Sequence, residues 1–174
     1  GVKTLFSQKF IPQKDVIKFV ANRLMQKGLK ISFAESCTAG LAAAKFARYG
    51  GISASFDGSL VTYANHIKHE WLGVEDEILD TYGAVSEPCV KAMIKGTLST
   101  TNADFALAIS GIAGPGGGTA SKPVGTVYVA AGDRSGNIEV ERLLLKGERN
   151  YVREQSVLSA YLCLLRLKSE IFFA

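Results

Sequence analysis

A single α/β domain, with a mixed and mostly parallel sheet, an antiparallel hairpin and helices on both faces, is predicted by three observations. Short apolar strands alternate with helical segments through most of the chain, which favours crossovers and parallel pairing. Two strand-like runs near the end are separated only by a tight turn, which makes a hairpin. The 174 residues, 47% of them hydrophobic, suit one domain with a sizeable core. Residues 1–13 read as an N-terminal extension and 14–174 as the domain.

Residues 15–27 form the first expected helix, with Val16, Phe19, Val20 and Leu24 at helical spacing and Gly28 as its stop. Residues 30–34 follow as a short strand. Residues 39–49 then read as an alanine-rich helix, small enough along one side to lie close to a sheet, and Gly50-Gly51 ends it. A buried strand interrupted by Gly58 is expected over 56–63. The polar break Ala64-Asn65-His66 opens a short helix that carries Lys68 and places Trp71 and Leu72 in the core. A helical turn spans 75–80. Ser86-Glu87-Pro88 is a strong start for a helix running to about residue 99. An apolar strand covers 104–109, and 110–119 is too rich in glycine for helix or packed strand. Strands at 124–131 and 138–145 share the turn 133–136, and one long helix covers 149–172.

The formal charge of +4 and pI near 9.0 are mildly basic, and the Lys and Arg residues are scattered. A nucleic-acid groove is therefore not expected, whereas a small anionic ligand fits. Cys37, Cys89 and Cys163 are odd in number and far apart, which suits reduced thiols in a cytoplasmic protein. The only histidines, His66 and His69, read as surface residues, and no metal site is expected. No apolar run reaches membrane-spanning length, residues 1–13 lack a signal-peptide pattern, and the initial Gly reads as a processed or artificially introduced start.

The chemistry gathers at Glu35-Ser36-Cys37-Thr38, the corner between the 30–34 strand and the next helix. Such a corner lifts a side chain to the carboxyl edge of a sheet and aims free helix N–H groups at the same spot. Ser36 and Thr38 can equally be no more than helix caps. If Ser36 is a nucleophile it needs a base, and Glu35, His66, Lys68 and Lys45 are the candidates. On residue type alone Lys68 reads as a solvated lysine and Tyr63 as a core tyrosine with its hydroxyl at the surface. Cys37, beside Ser36 at an expected helix start that would lower a thiol pKa, is a rival nucleophile. The glycine loop lacks the Gly-Lys-Ser/Thr of a Walker A loop and does not follow a first strand as Gly-x-Gly-x-x-Gly would.

Ala-Glu-Ser-Cys-Thr-Ala-Gly at 34–40 resembles the Ala-Glu-Ser-Cys-Thr-Gly-Gly signature of the CinA C-terminal family. Tyr63-Ala-Asn-His-Ile-Lys68 is similar to that family's Tyr-x-Asn-x-x-Lys. Gly83-Ala-Val-Ser-Glu87, Ser110-Gly-Ile-Ala-Gly-Pro-Gly-Gly-Gly118, Lys122-Pro-Val-Gly-Thr-Val-Tyr128 and Gly147-Glu-Arg149 extend the resemblance over roughly 14–168. It implies an amidohydrolase in its stand-alone form, without the larger N-terminal domain of many members. It would convert nicotinamide mononucleotide to nicotinic acid mononucleotide and ammonia in pyridine-nucleotide salvage. It implies Ser36 as nucleophile, Lys68 and Tyr63 as base and proton relay, and Ser110 where the family has Thr. It implies no cofactor and a homodimer or larger assembly. Joined to the helix-start argument, it gives Cys37 and Thr38 N–H groups as oxyanion donors. Gly114, Gly116 and Gly117, with Arg149, would hold the phosphate, and Arg153 is the alternative cation. Ala39 replaces a frequent family Gly, with little consequence expected. A non-catalytic nucleotide-sensing or partner-binding module of the competence and DNA-damage response is the alternative.

Overall fold

The computed structural model describes residues 15–174 and a two-residue antiparallel pairing of β1 (Val2–Lys3) with β2 (Phe10–Ile11). The rest of the expected 1–13 extension lies outside the described residues. The main sheet has the order β4-β3-β5-β6-β7. Its strands are β3 (Ile31–Glu35), β4 (Leu60–Val61), β5 (Phe105–Gly111), β6 (Thr126–Asp133) and β7 (Ile138–Leu144). β3 pairs in parallel with β4 and β5, while β5–β6 and β6–β7 are antiparallel. The expected mixed sheet with a late hairpin is what forms.

Helices α1 (Val16–Lys27), α2 (Leu41–Phe46) and α6 (Arg149–Leu167) cover one face. There Ile31, Phe33, Phe105, Leu107 and Ile109 pack against Val20, Leu24, Phe46 and Tyr161. Helices α3 (Asn65–Leu72), α4 (Asp76–Tyr82) and α5 (Glu87–Thr100) cover the other, over Ala34, Ala106, Ala108 and Ala130. The alternation within β3 and β5 is bulky toward α6 and small toward α5, so α5 can sit close. Gly96 lets α3 press onto α5, since a Cβ there would lie 2.0 Å from the Leu72 carbonyl oxygen. β4 and β5 flank β3 on opposite sides and their connections cross opposite faces, which opens a crevice beyond the carboxyl ends of β3, β4 and β5.

Several elements differ from expectation. The strand expected over 56–63 is only Leu60–Val61, because Asp57-Gly58-Ser59 interrupts it and Ser59 Oγ bonds the Phe33 carbonyl instead. The strand expected to stop at 109 continues through Ser110 and Gly111, where a Cβ would meet Val127 at 2.6 Å. The last helix breaks at Lys168 into α6 and α7 (Ser169–Phe172). Trp71, expected in the core, is 53% exposed.

The alanine-rich helix starts two residues late, at Leu41, and the corner winds through Ala39 at φ +49° and Gly40 at φ +98°. Ala39 therefore occupies the left-handed region that a glycine takes freely, so the substitution matters conformationally. A Cβ there costs about 1–2 kcal/mol, while glycine loosens the unfolded chain by about 0.5–1 kcal/mol. Ala39→Gly should raise stability by about 0.5 kcal/mol in denaturant unfolding.

Candidate active site

Ser36 follows the last residue of β3 at the carboxyl edge of the sheet, and its N–H bonds the Ile109 carbonyl at 3.0 Å. Its hydroxyl turns toward the α3–α5 side. Lys68 reaches it from α3: Nζ donates to Ser36 Oγ at 3.0 Å and to the Tyr63 carbonyl at 2.8 Å. Ser36 Oγ also approaches the Tyr63 carbonyl at 3.4 Å. Lys68 is 1% exposed and Ser36 7%, so the reading of Lys68 as a solvated lysine is overturned. The fold buries it because α3 packs closely on α5, where the Leu72 carbonyl lies against Gly96.

Burial lowers the Lys68 pKa from the ordinary lysine value. Thiolates at Cys89 and Cys37 would oppose this, but burial pushes both thiols up to about 11, so they stay neutral near pH 7. Among the described residues no carboxylate pairs with Lys68. The amine is thus held beside a hydroxyl in surroundings that make it easier to deprotonate than an ordinary lysine.

The Cys37 side chain lies in the core on the α6 side. The expectation that a helix start would activate it fails, because the helix begins four residues later and burial raises the thiol pKa instead. Glu35 is no base for Ser36 either. Its fully buried carboxylate accepts from Thr38 Oγ1 at 2.7 Å, Ala42 N at 2.8 Å and Ala43 N at 3.1 Å. The helix N-terminus expected to receive a ligand anion is already occupied by this internal one. Cys37 and Thr38 accordingly stand in the corner before α2 and not at its first turn. Their N–H groups make no main-chain hydrogen bond among the described residues.

Tyr63 takes a different place from the expected relay. Its side chain is 53% exposed, and its hydroxyl accepts from Arg149 Nη2 at 3.0 Å; its main-chain oxygen is what meets Lys68 and Ser36. Arg149 Nη1 donates to the Gly114 carbonyl at 2.8 Å. The corner, the Tyr63–Lys68 segment and the glycine loop are thereby linked in one continuous chain of hydrogen bonds. Gly114 is buried, whereas Gly116 and Gly117 stand in the exposed part of the loop. Ser110 is buried near the end of β5, on the strand face shared with Ala106 and Ala108.

Arg153, one turn beyond Arg149, is part-buried and bonds within the chain. Nε donates to the Cys37 carbonyl at 3.0 Å, Nη2 to the Thr38 carbonyl at 2.9 Å and Nη1 to Asn150 Oδ1 at 3.0 Å. Three of its N–H groups are thus committed to the chain itself, against two for Arg149. His66 and His69 are exposed, Lys45 pairs with Glu154, and Cys89 and Cys163 are packed in the core. No group of His, Cys, Asp or Glu able to hold a metal occurs among the described residues. No helix there is long and apolar enough to cross a membrane. Sequence reasoning missed the bonds of Glu35 and Arg153 to the corner. The one available signal was a charged residue beside a turn with no evident ion partner.

The sequence and the fold both have relatives. A competence-damage inducible protein of Desulforudis audaxviator is 51% identical over 82% of this chain, and a CinA-like protein of Akkermansia muciniphila is 49% identical over 79%. The matches take in 34% and 33% of those proteins, so the chain spans about a third of their length. The crystal structure of the competence/damage inducible protein CihA from Agrobacterium tumefaciens superposes with a TM-score of 0.87 at 38% identity, covering 91% of this chain and 98% of that one. That of the competence damage-inducible protein A from Klebsiella pneumoniae gives 0.84 at 35% identity, covering 90% and 96%. The pattern of the CinA C-terminal domain matches residues 13–168, and the chain belongs to that family.

Proposed function

We propose that the chain hydrolyses the carboxamide of nicotinamide mononucleotide, giving nicotinic acid mononucleotide and ammonia. The observation that carries this reading is the buried Lys68 amine, 3.0 Å from the Ser36 hydroxyl and without an acid partner among the described residues. A neutral amine can take the Ser36 proton as Oγ attacks the carboxamide carbon. The tetrahedral oxyanion is received by N–H groups of the corner at Cys37 and Thr38. It collapses with cleavage of the C–N bond, and the proton held by Lys68 goes to the departing nitrogen, which leaves as ammonia. Water, deprotonated by the same amine, then cleaves the ester; Ser36 regains its proton and the carboxylate departs. The cationic pyridinium of the substrate draws electrons from the amide and assists attack.

Arg149 is the phosphate ligand in this reading. It is exposed and uses two N–H groups on Gly114 and Tyr63. A guanidinium has five, so three remain for an anion. Gly116 and Gly117 supply further N–H groups from the exposed loop. Tyr63 steadies Arg149 through its hydroxyl and Lys68 through its carbonyl. Ser110 closes the site from β5, with a hydroxyl where the family has one.

The test is to incubate the protein with nicotinamide mononucleotide and assay ammonia. Release by the wild type and none by a folded Ser36→Ala variant is expected. No release by the wild type, with saturable binding of nucleotide or a protein partner, would favour the non-catalytic module instead.

A further inference from the structure

We propose that Arg153 is a positioning residue of this site: by holding the carbonyls of Cys37 and Thr38 it presents the Thr38 N–H as one of the donors for the oxyanion. The proposal rests on the amidase reading above.

Arg153 lies on α6, on the sheet face opposite the helix that carries Lys68. Its planar fork takes the two successive carbonyls at 3.0 and 2.9 Å, a geometry a single ammonium cannot reproduce. A trans peptide is planar, with its N–H opposed to its C=O. The Cys37 carbonyl is drawn toward α6, so the Thr38 N–H of the same peptide points away from α6. That is the side on which Ser36 Oγ meets Lys68.

The neighbouring N–H groups narrow the choice. Ser36 N–H is committed to the Ile109 carbonyl and Ala39 N–H to the Ser36 carbonyl, each at 3.0 Å. Of the two N–H groups between them neither has a main-chain acceptor among the described residues; that of Thr38, a fully buried residue, belongs to the peptide whose carbonyl Arg153 holds. A cation on the carbonyl end polarises the peptide and strengthens its N–H as a donor. No carboxylate pairs with Arg153 among the described residues, and its third partner is the neutral Asn150 amide, so its charge is not cancelled at short range. The same two bonds hold a corner that Ala39 enters at φ +49°.

The experiment compares wild type, Arg153→Lys, Arg153→Ala and Arg149→Ala on nicotinamide mononucleotide and on its riboside, with thermal unfolding as the check on folding. Arg153→Ala should lower kcat roughly 10²–10³-fold, the loss typical of an oxyanion donor, at a nearly unchanged KM. Its preference for nucleotide over riboside should be unchanged. Added guanidinium should restore part of the rate, and Arg153→Lys should stay impaired. Arg149→Ala should instead raise KM for the nucleotide. If Arg153→Ala does not fold, Arg153→Lys and Asn150→Ala carry the same test, the latter with a smaller kcat loss at unchanged KM. Arg153 variants that raise KM at full kcat, that lose rate only on the nucleotide, or an Arg153→Lys enzyme with wild-type kcat would overturn the proposal alone. A wild type without amidase turnover would overturn it together with the reading beneath it.

Discussion

Replacing Lys68 with Met will abolish ammonia release and make the protein more stable. The activity loss should be roughly 10⁴-fold or more, because a nucleophile and its base act as a unit and neither is useful alone. The stability gain follows from burial. Lys68 is almost wholly excluded from solvent, bonded to one hydroxyl and one carbonyl, with no acid partner among the described residues. The fold therefore works against protonating it. An apolar side chain of similar length removes that penalty, with an expected gain of about 1 kcal/mol, or about 2–4 °C in Tm.

The pH dependence gives the sign. The folded-state pKa of Lys68 is lowered, so the unfolded chain binds more protons through the interval between the two pKa values. Lys68 thus costs the wild type nothing above the ordinary lysine pKa. The cost grows as pH falls toward the folded-state value. The stability gap between Lys68→Met and wild type should be smallest at high pH and widen on acidification. The acid limb of kcat/KM should reflect the same titration, with rate rising as Lys68 loses its proton.

Glu35→Ala should be the most damaging single change to the fold around the site. Its fully buried carboxylate satisfies the N–H groups of Ala42 and Ala43 and the Thr38 hydroxyl. Alanine leaves three donors without their acceptor and an α2 N-terminus without its compensating charge. The expected loss is about 3 kcal/mol, or about 6–12 °C in Tm. Since the corner 36–40 is closed by these bonds, kcat should fall as well, by about 10² for a misplacement near 1 Å. Glu35→Gln keeps the shape and one acceptor oxygen but turns an NH₂ group toward a donor. It should lie between wild type and Glu35→Ala in both measurements. A Glu35→Ala protein as stable as wild type would remove the carboxylate from this role.

Much of this architecture was legible from residue order. The alternation of apolar strands and helices predicted the sheet, the tight turn at 133–136 predicted the hairpin, and a strand ending next to Ser36 predicted a hydroxyl at a carboxyl edge. Tyr63, Lys68 and the glycine loop could be assigned to the same site only through family resemblance, because their separations along the chain carry no spatial information. Lys68 shows why. His66, His69 and Glu70 surround it with polar neighbours, and only the clamping of α3 against α5, permitted by Gly96, makes its amine a buried one. Arg149 and Arg153 are alike in type and one turn apart, yet one faces the glycine loop and the other grips the corner. That division depends on helix rotation relative to the sheet. The late start of α2 was hidden because Ala39 gives no warning of a positive φ, and Trp71 was misplaced because an indole at helical spacing reads as core whichever side the helix presents.

The most direct measurement is mass spectrometry of protein quenched with acid during turnover of nicotinamide mononucleotide. The account predicts an acyl adduct that peptide mapping places on Ser36 in the wild type and that does not form in Lys68→Met. An adduct on Cys37, or the same Ser36 adduct formed at wild-type rate without the lysine, would contradict it.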